Sequence, residues 1–316
     1  MTAALARYAI WLLLVALSLV FLLHGSGFDF DYVIPKRFER LGAILIGGIC
    51  VAWSSILFQT LTGNRILTPA IMGYEAVYLL LQALLVLLVG TFGLVQLGKS
   101  GSFFLSMLCM LAYSWWLHRW LFRGGRNNVY YLLLVGLVLT VLIGTLTQFV
   151  QLQVDPGEFS VLLGLSQASF NRVEAEQLLY AAVVVIPVCL LGWKTRPTLD
   201  VIALGREQAI SLGIDYRRQV HLYLAQIAAL VAVSTSLLGP TAFMGIFVAN
   251  ITYALARTFR HQVTLPLGCA IACCLFILAQ LLVEHVFNYK TTVGILVNLV
   301  CGLYFLLLMV RTRGAT

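Results

Sequence analysis

Gly93-Leu94-Val95-Gln96-Leu97-Gly98-Lys99-Ser100 fits the phosphate-cradling pattern G-x-x-x-x-G-K-[ST]. That device needs a preceding strand, a following helix on the same sheet and a Mg²⁺-binding acid on a neighbouring strand. Here the stretch joins two long apolar runs on the outer face, so it reads as a glycine-containing turn and not as a nucleotide site. The five histidines (His24, His118, His221, His261 and His285) are scattered, and all but His221 fall at helix ends or in turns. No H-E-x-x-H, G-x-S-x-G or C-x-x-C string occurs. The seven cysteines (Cys50, Cys109, Cys189, Cys269, Cys273, Cys274 and Cys301) all lie inside apolar runs. Cys269 and Cys273 share a helix face, but no histidine or carboxylate completes a metal shell around them. They read as small buried hydrophobes. The sequence therefore asks for no cofactor, no metal and no catalytic centre.

Charges within the apolar runs are few. Glu75 falls near the inner start of one run and Glu284 near the outer end of another, so both are expected at the interface, hydrated or paired. Uncharged polar groups occur at depth: Gln82, Thr140, Thr145, Gln148, Gln226, Asn250, Gln280 and Asn298. Gly136, Thr140 and Gly144 repeat at i, i+4, i+8 and continue to Gln148, a narrow, weakly polar stripe on one helix. Small residues let helices approach closely, and the same stripe could line an inert path.

The elements that must position these residues are ten apolar runs, at about Tyr8–His24, Arg40–Leu61, Ala70–Val95, Ser102–Leu121, Val129–Val150, Leu178–Trp193, Gln219–Leu238, Thr241–Arg257, Thr264–Phe287 and Thr292–Val310. About 20 apolar residues in helix cross about 30 Å of hydrocarbon, and most of the runs fit. Only helices or a closed barrel satisfy their backbone in lipid, and runs this long exclude barrel strands. The chain is 61% hydrophobic and 10% charged, against about 25% charged in a soluble domain. The expectation is an all-α, polytopic membrane protein of about ten transmembrane helices. Residues 1–316 are expected to form a single transmembrane domain, because no polar segment is long enough for another.

The net charge of +8 reports topology, not nucleic-acid binding. With the N-terminus inside, Arg7, Arg65, Arg119, Arg123, Arg126, Lys194, Arg196, Arg206, Arg217, Arg218, Arg257, Arg260, Arg311 and Arg313 are cytoplasmic. Lys36, Arg37, Arg40, Lys99, Arg172 and Lys290 are external. That bias puts both termini in the cytoplasm. Tyr8–Leu23 resembles a signal peptide, but no A-x-A site follows it. The inner segment Lys194–Arg218 sets Leu199, Val201, Ile202, Leu204, Ala209, Ile210, Leu212 and Ile214 among charges, with Gly205 and Gly213. Such a pattern suggests short amphipathic helices against the membrane surface or a cytoplasmic partner.

Three ordered strings carry a resemblance. Gly47-Gly48-Ile49-Cys50-Val51-Ala52-Trp53-Ser54-Ser55-Ile56-Leu57-Phe58-Gln59-Thr60-Leu61-Thr62-Gly63-Asn64 resembles the second-helix signature of iron-siderophore and vitamin B12 permeases of ATP-binding-cassette (ABC) importers. Glu207-Gln208-Ala209-Ile210-Ser211-Leu212-Gly213 is similar to their E-A-A…G coupling motif, and Gly239-Pro240-Thr241-Ala242-Phe243-Met244-Gly245 to their G-P-x-x-F-x-G signature. The variant Asn64-Arg65-Ile66-Leu67-Thr68-Pro69-Ala70-Ile71-Met72-Gly73, with Asp155-Pro156-Gly157-Glu158-Phe159 and Val286-Phe287-Asn288-Tyr289-Lys290-Thr291-Thr292, resembles the branch serving ferric catecholate-type siderophores.

The resemblance implies the type II importer permease fold in a bacterial inner membrane. It implies a cytoplasmic ABC ATPase dimer, a second permease subunit (usually a related chain, otherwise a second copy), a periplasmic siderophore-binding protein and surrounding lipid as partners. Glu207, Ala209, Leu212, Gly213 and Asp200 would meet the ATPase, with Gly213 allowing the sharp turn. Arg37 and Arg40 match an R-x-x-R pair that meets acids on the binding protein. The family's further basic position at the outer end of the ninth helix reads Glu284-His285 here, a departure that puts docking on that side in question. Thr140, Gly144, Gln148 and Asn298 would line the pathway, and the gate would fall at Asn127–Tyr130. The alternatives are an ion-gradient-driven carrier, which would have no ATPase to engage at Lys194–Arg218, or the same fold serving vitamin B12 or haem.

Overall fold

The computed structural model describes residues 2–25, 31–121, 129–241 and 243–313. The elements are α1 (Thr2–Leu23), α2 (Val33–Thr62), a 3₁₀ turn (Pro69–Met72), α3 (Tyr74–Leu121), α4 (Val129–Gln151), α5 (Pro156–Ser166), α6 (Ala175–Ile202), α7 (Arg206–Ser211), α8 (Tyr216–Leu238), α9 (Met244–Ala256), α10 (His261–Leu281) and α11 (Val293–Arg313). A π turn, Leu282–Val286, extends α10. The ten apolar runs are all present as helix. Two of them form one element: α3 runs for 48 residues but breaks its helical backbone at Gly90 (φ 70°) and Gly98 (φ 69°), giving two membrane arms with a short helical cap between. The phosphate-loop look-alike lies in that cap, and no strand occurs among the described residues.

The centre is α2 packed against α8 and α10. Most residues in the apolar windows of these three helices are buried, whereas α3, α4 and α6 keep broad apolar faces open. Glycine makes the central approach possible. A Cβ on Gly48 would lie 3.1 Å from the Cys273 backbone nitrogen, so any side chain there would push α2 off α10. In lipid, where apolar burial gains little, such close packing is what holds helices together. Leu134, Leu137, Val138, Val141, Leu142 and Phe149 form the open face of α4. That face is available to lipid or a second subunit.

Two features depart from the sequence expectation. The outer stretch Gln151–Gln177 contains a helix, α5, entered through Asp155 with Pro156 at its first position and Glu158 in its first turn. The segment after α2 does not stay at the inner surface. It turns back, so that the Thr140 hydroxyl, halfway along α4, lies within hydrogen-bond reach of the Ile71 carbonyl at 3.0 Å as well as of Gly136 O in its own helix at 2.8 Å. Gly136 of α4 faces the Met72 backbone, where a Cβ would come within 3.0 Å. The Pro69–Met72 turn therefore sits near mid-membrane, and irregular backbone at that depth survives because protein surrounds it.

Candidate coupling site and pathway

Helix α6 is 28 residues long, about 42 Å at 1.5 Å per residue, and so outruns the hydrocarbon at its inner end. It continues through Pro197 to Ile202, making the first part of Lys194–Arg218 a helical extension. The chain then bends at Gly205 into α7, only six residues long. Gly213 ends α7 with φ 80°. Its N–H reaches Ile210 O at 2.9 Å and the Ile214 N–H reaches Ala209 O at 3.1 Å. This pair of bonds is a Schellman closure, whose left-handed position favours glycine. Asp215 starts α8 by accepting the Arg218 N–H at 3.1 Å. The result is a rigid elbow of short helix between two long ones.

The elbow presents one face outward. Glu207 and Gly213 are exposed. Leu204, Ile210 and Leu212 are 60%, 52% and 63% exposed, an aliphatic patch on a short inner-face helix. The other two residues expected at this contact lie elsewhere. Ala209 is fully buried and faces the protein's own core, because the helical period turns it away from Glu207 and Ile210. Asp200 belongs to the last turn of α6. Its Oδ1 lies 2.5 Å from His261 Nδ1 and 2.8 Å from the His261 N–H, at the start of α10. The carboxylate can only accept, so Nδ1 carries a proton. His261 Nε2 then meets the Thr60 hydroxyl, 2.9 Å away near the end of α2. Asp200 thus ties the inner ends of α6, α10 and α2 together.

The opposite end of α10 repeats the device with different residues. Arg37 is 4% exposed and donates to the Phe21 and His24 carbonyls that end α1 and, at 2.6 Å, to Glu284 Oε1 in the π turn. A guanidinium spent on three internal acceptors has little left to offer an external partner. Glu284 neutralises the buried Arg37. Arg40 remains half-exposed, 3.4 Å from the Tyr289 hydroxyl. Burial, with Glu284 beside it, keeps that phenol above the usual tyrosine range, so it stays protonated and offers Arg40 an oxygen lone pair.

Of the expected pathway residues, Thr140 is half-buried and committed to the mid-membrane turn. Gly144 has open space around its Cα, and Gln148 is exposed at the outer half of α4. Asn298 is exposed on α11. Helix α4 packs on α3 and the Pro69–Met72 turn, whereas α11 packs on α9 and α10. Within one chain, the stripe on α4 and Asn298 are thus held by different neighbours. Asn127–Asn128 lie outside the described residues, as do the side chains of Val129 and Tyr130. A cavity of about 650 Å³ opens among α3, α5, the start of α6 and the end of α8, with Gln82, Lys99, Arg172 and Gln177 in its walls.

Residues 4–311 match the FecCD transport family. The chain belongs to that family. It is 36% identical to the petrobactin import system permease protein YclO of Bacillus subtilis (strain 168), over 95% of this chain and 96% of the relative. It is 29% identical to the petrobactin import system permease protein FatC of Bacillus anthracis (96% and 89%), and 26% identical to the hemin transport system permease protein HmuU of Yersinia pestis (88% and 82%). Its fold matches a solved structure described as an inward-facing conformation of a metal-chelate type ABC transporter, with a TM-score of 0.85 over 98% of this chain and 99% of the other at 19% identity. This FecCD-family chain is therefore a multi-pass ABC importer permease subunit, a transport protein and not an enzyme.

Proposed function

We propose that this chain moves a ferric siderophore of catecholate type from the periplasm to the cytoplasm. The observation that carries the reading is its near full-length similarity to YclO, a permease named for petrobactin import; petrobactin is a catecholate siderophore. An ABC ATPase pair docks from below on α7, through the Leu204–Ile210–Leu212 patch with Glu207 beside it. A small exposed aliphatic cluster flanked by charge suits the groove of a partner protein. Gly213 holds the elbow's shape. The Asp200–His261–Thr60 tie passes displacement of the elbow into α10 and α2, the buried centre of the fold.

A second permease subunit, a related chain or another copy, covers the open face of α4 and frames the pathway with it. Gly144, Gln148 and Asn298 line that pathway, with Thr140 holding the turn behind it. A periplasmic binding protein delivers the chelate to the outer face. Arg40 steers it there by charge, an effect on encounter more than on affinity. In this reading both termini are cytoplasmic, which the basic bias supports.

The test is growth of a deletion strain on single iron sources. Loss of growth on a ferric catecholate, with haem and ferric hydroxamate still used, supports the reading. Loss on haem or hydroxamate alone assigns the substrate to those chelates instead. Uptake that survives Leu212→Glu but stops with an uncoupler would replace the ATPase by an ion gradient.

A further inference from the structure

Glu75 is an acid near mid-membrane. It opens α3 directly behind the Pro69–Met72 turn, far from the inner interface where its sequence position suggested it. One carboxylate oxygen accepts the Thr241 N–H at 2.9 Å. Among the described residues it takes part in no ion pair. An ionised carboxylate is costly at this depth unless something neutralises it.

The surroundings are built for that purpose. Glu75 shares a cavity of about 20 Å³ with Ser54, Ser55, Thr68, Ser234, Thr235 and Thr241. Such a space holds one water-sized body, which needs about 10–15 Å³. Ser54, Ser234 and Thr235 are 2%, 2% and 0% exposed. The Ser54 hydroxyl donates to Val51 O at 3.3 Å and that of Ser234 to Val231 O at 3.1 Å. Their protons are therefore turned away, and lone pairs are what they can offer the cavity. Thr235 Oγ1 has no hydrogen-bond partner although its side chain is wholly buried. A cavity with one negative charge and several free oxygen lone pairs wants a positive occupant.

The backbone supports the same conclusion. Two interruptions of helix meet here: the turn ending at Gly73 (φ 86°) and the stretch from Gly239 (φ 97°) into α9. Unwound segments at membrane depth are a recurrent setting for small-ion ligands, because they bring oxygens together where helices cannot.

We propose that this cluster binds one small monovalent cation, sodium or potassium, with Glu75 supplying the charge and Ser54, Ser234 and Thr235 neutral oxygens. A single carboxylate suits a monovalent ion better than a divalent one, which draws more charge or keeps its waters. The ion ties α2, α3, α8 and the turn leading into α9 at the point where the chain is least regular. It is a structural ion of the permease, and the proposal stands or falls separately from the identity of the transported chelate.

The test is thermal unfolding of the permease purified with its partner subunits, in choline, sodium and potassium chloride at matched ionic strength. The proposal expects a saturable rise of about 3 °C or more in sodium or potassium over choline. The ranking of the two salts names the ion. Glu75→Gln abolishes the salt difference, and Thr235→Val, which keeps the charge, weakens the apparent affinity about tenfold. Should Glu75→Gln fail to fold, Thr235→Val decides alone. Unfolding at one temperature in all three salts overturns the proposal and leaves Glu75 holding a proton of its own. A salt difference unchanged in either variant also overturns it, since the ion would then sit elsewhere.

Discussion

The two ends of α10 are both pinned by an acid–base pair, but the pairs differ in burial and in what lies behind them. At the outer end Glu284 meets Arg37, 11% and 5% exposed, and Arg37 also closes the end of α1. Every partner belongs to the packed outer corner of α1, α2 and the π turn. At the inner end His261 is 2% exposed, but its partner Asp200 is 35% exposed. Asp200 stands on the last turn of α6, just before the chain bends at Gly205 into the exposed elbow. One end of α10 is clamped to the body of the protein, and the other is held by a residue on the last helical turn before the exposed elbow. The difference teaches which tie stands next to the exposed elbow: the Asp200–His261 pair, on the proposed route for a push from the ATPase.

Substitutions that break one end at a time sharpen this contrast. Arg37→Ala has the largest expected effect on stability. It strands Glu284 in a buried site, a loss of about 3–5 kcal/mol, read as a collapse in folded yield or a large drop in Tm. Asp200→Ala comes next. It removes a charge-assisted tie worth about 1.5–3 kcal/mol, and it lowers transport more than its stability loss explains. The check is uptake per folded transporter beside Tm. Were Asp200→Ala to lower only Tm, the inner tie would be as passive as the outer one.

Gly213→Ala forces a side chain into a left-handed turn at about 1–2 kcal/mol, with nothing nearby to clash, so backbone strain alone sets the loss. Its signature is weaker co-purification of the ATPase. Arg40→Ala comes last. An exposed pair of this kind is worth about 0–1 kcal/mol, so Tm holds. Only the rate of binding-protein association falls, and that fall shrinks as salt is raised.

Run length was enough to read the ten apolar runs as helix, because about 20 apolar residues in lipid admit few other structures. The break at Gly213 was legible for a similar reason: a glycine between two amphipathic stretches has few other uses. Orientation was not. Spacing placed Arg37 and Arg40 together at the outer end of α2, but not that one points inward to Glu284 and the other toward solvent. The Glu207–Gly213 string carries Ala209, yet only the packed helix shows that Ala209 turns inward. Glu75 was assigned to the interface because Thr62–Pro69 reads as an ordinary inner loop. The polar and proline residues that make a surface turn also make one that folds back into protein. A signal was available for α5, in Asp155-Pro156 followed by Glu158, the residue types that start helices.

The proposed grip of the ATPase on this permease is at the outward face of α7. Leu212→Glu addresses it most directly, because that side chain is 63% exposed and the fold does not depend on it. The measurement is ATP-driven uptake of a ferric catecholate into proteoliposomes holding the assembled transporter. The account predicts a folded permease with unchanged Tm, lost ATPase subunits and no uptake. Uptake at the unsubstituted rate, with the ATPase still bound, would contradict it.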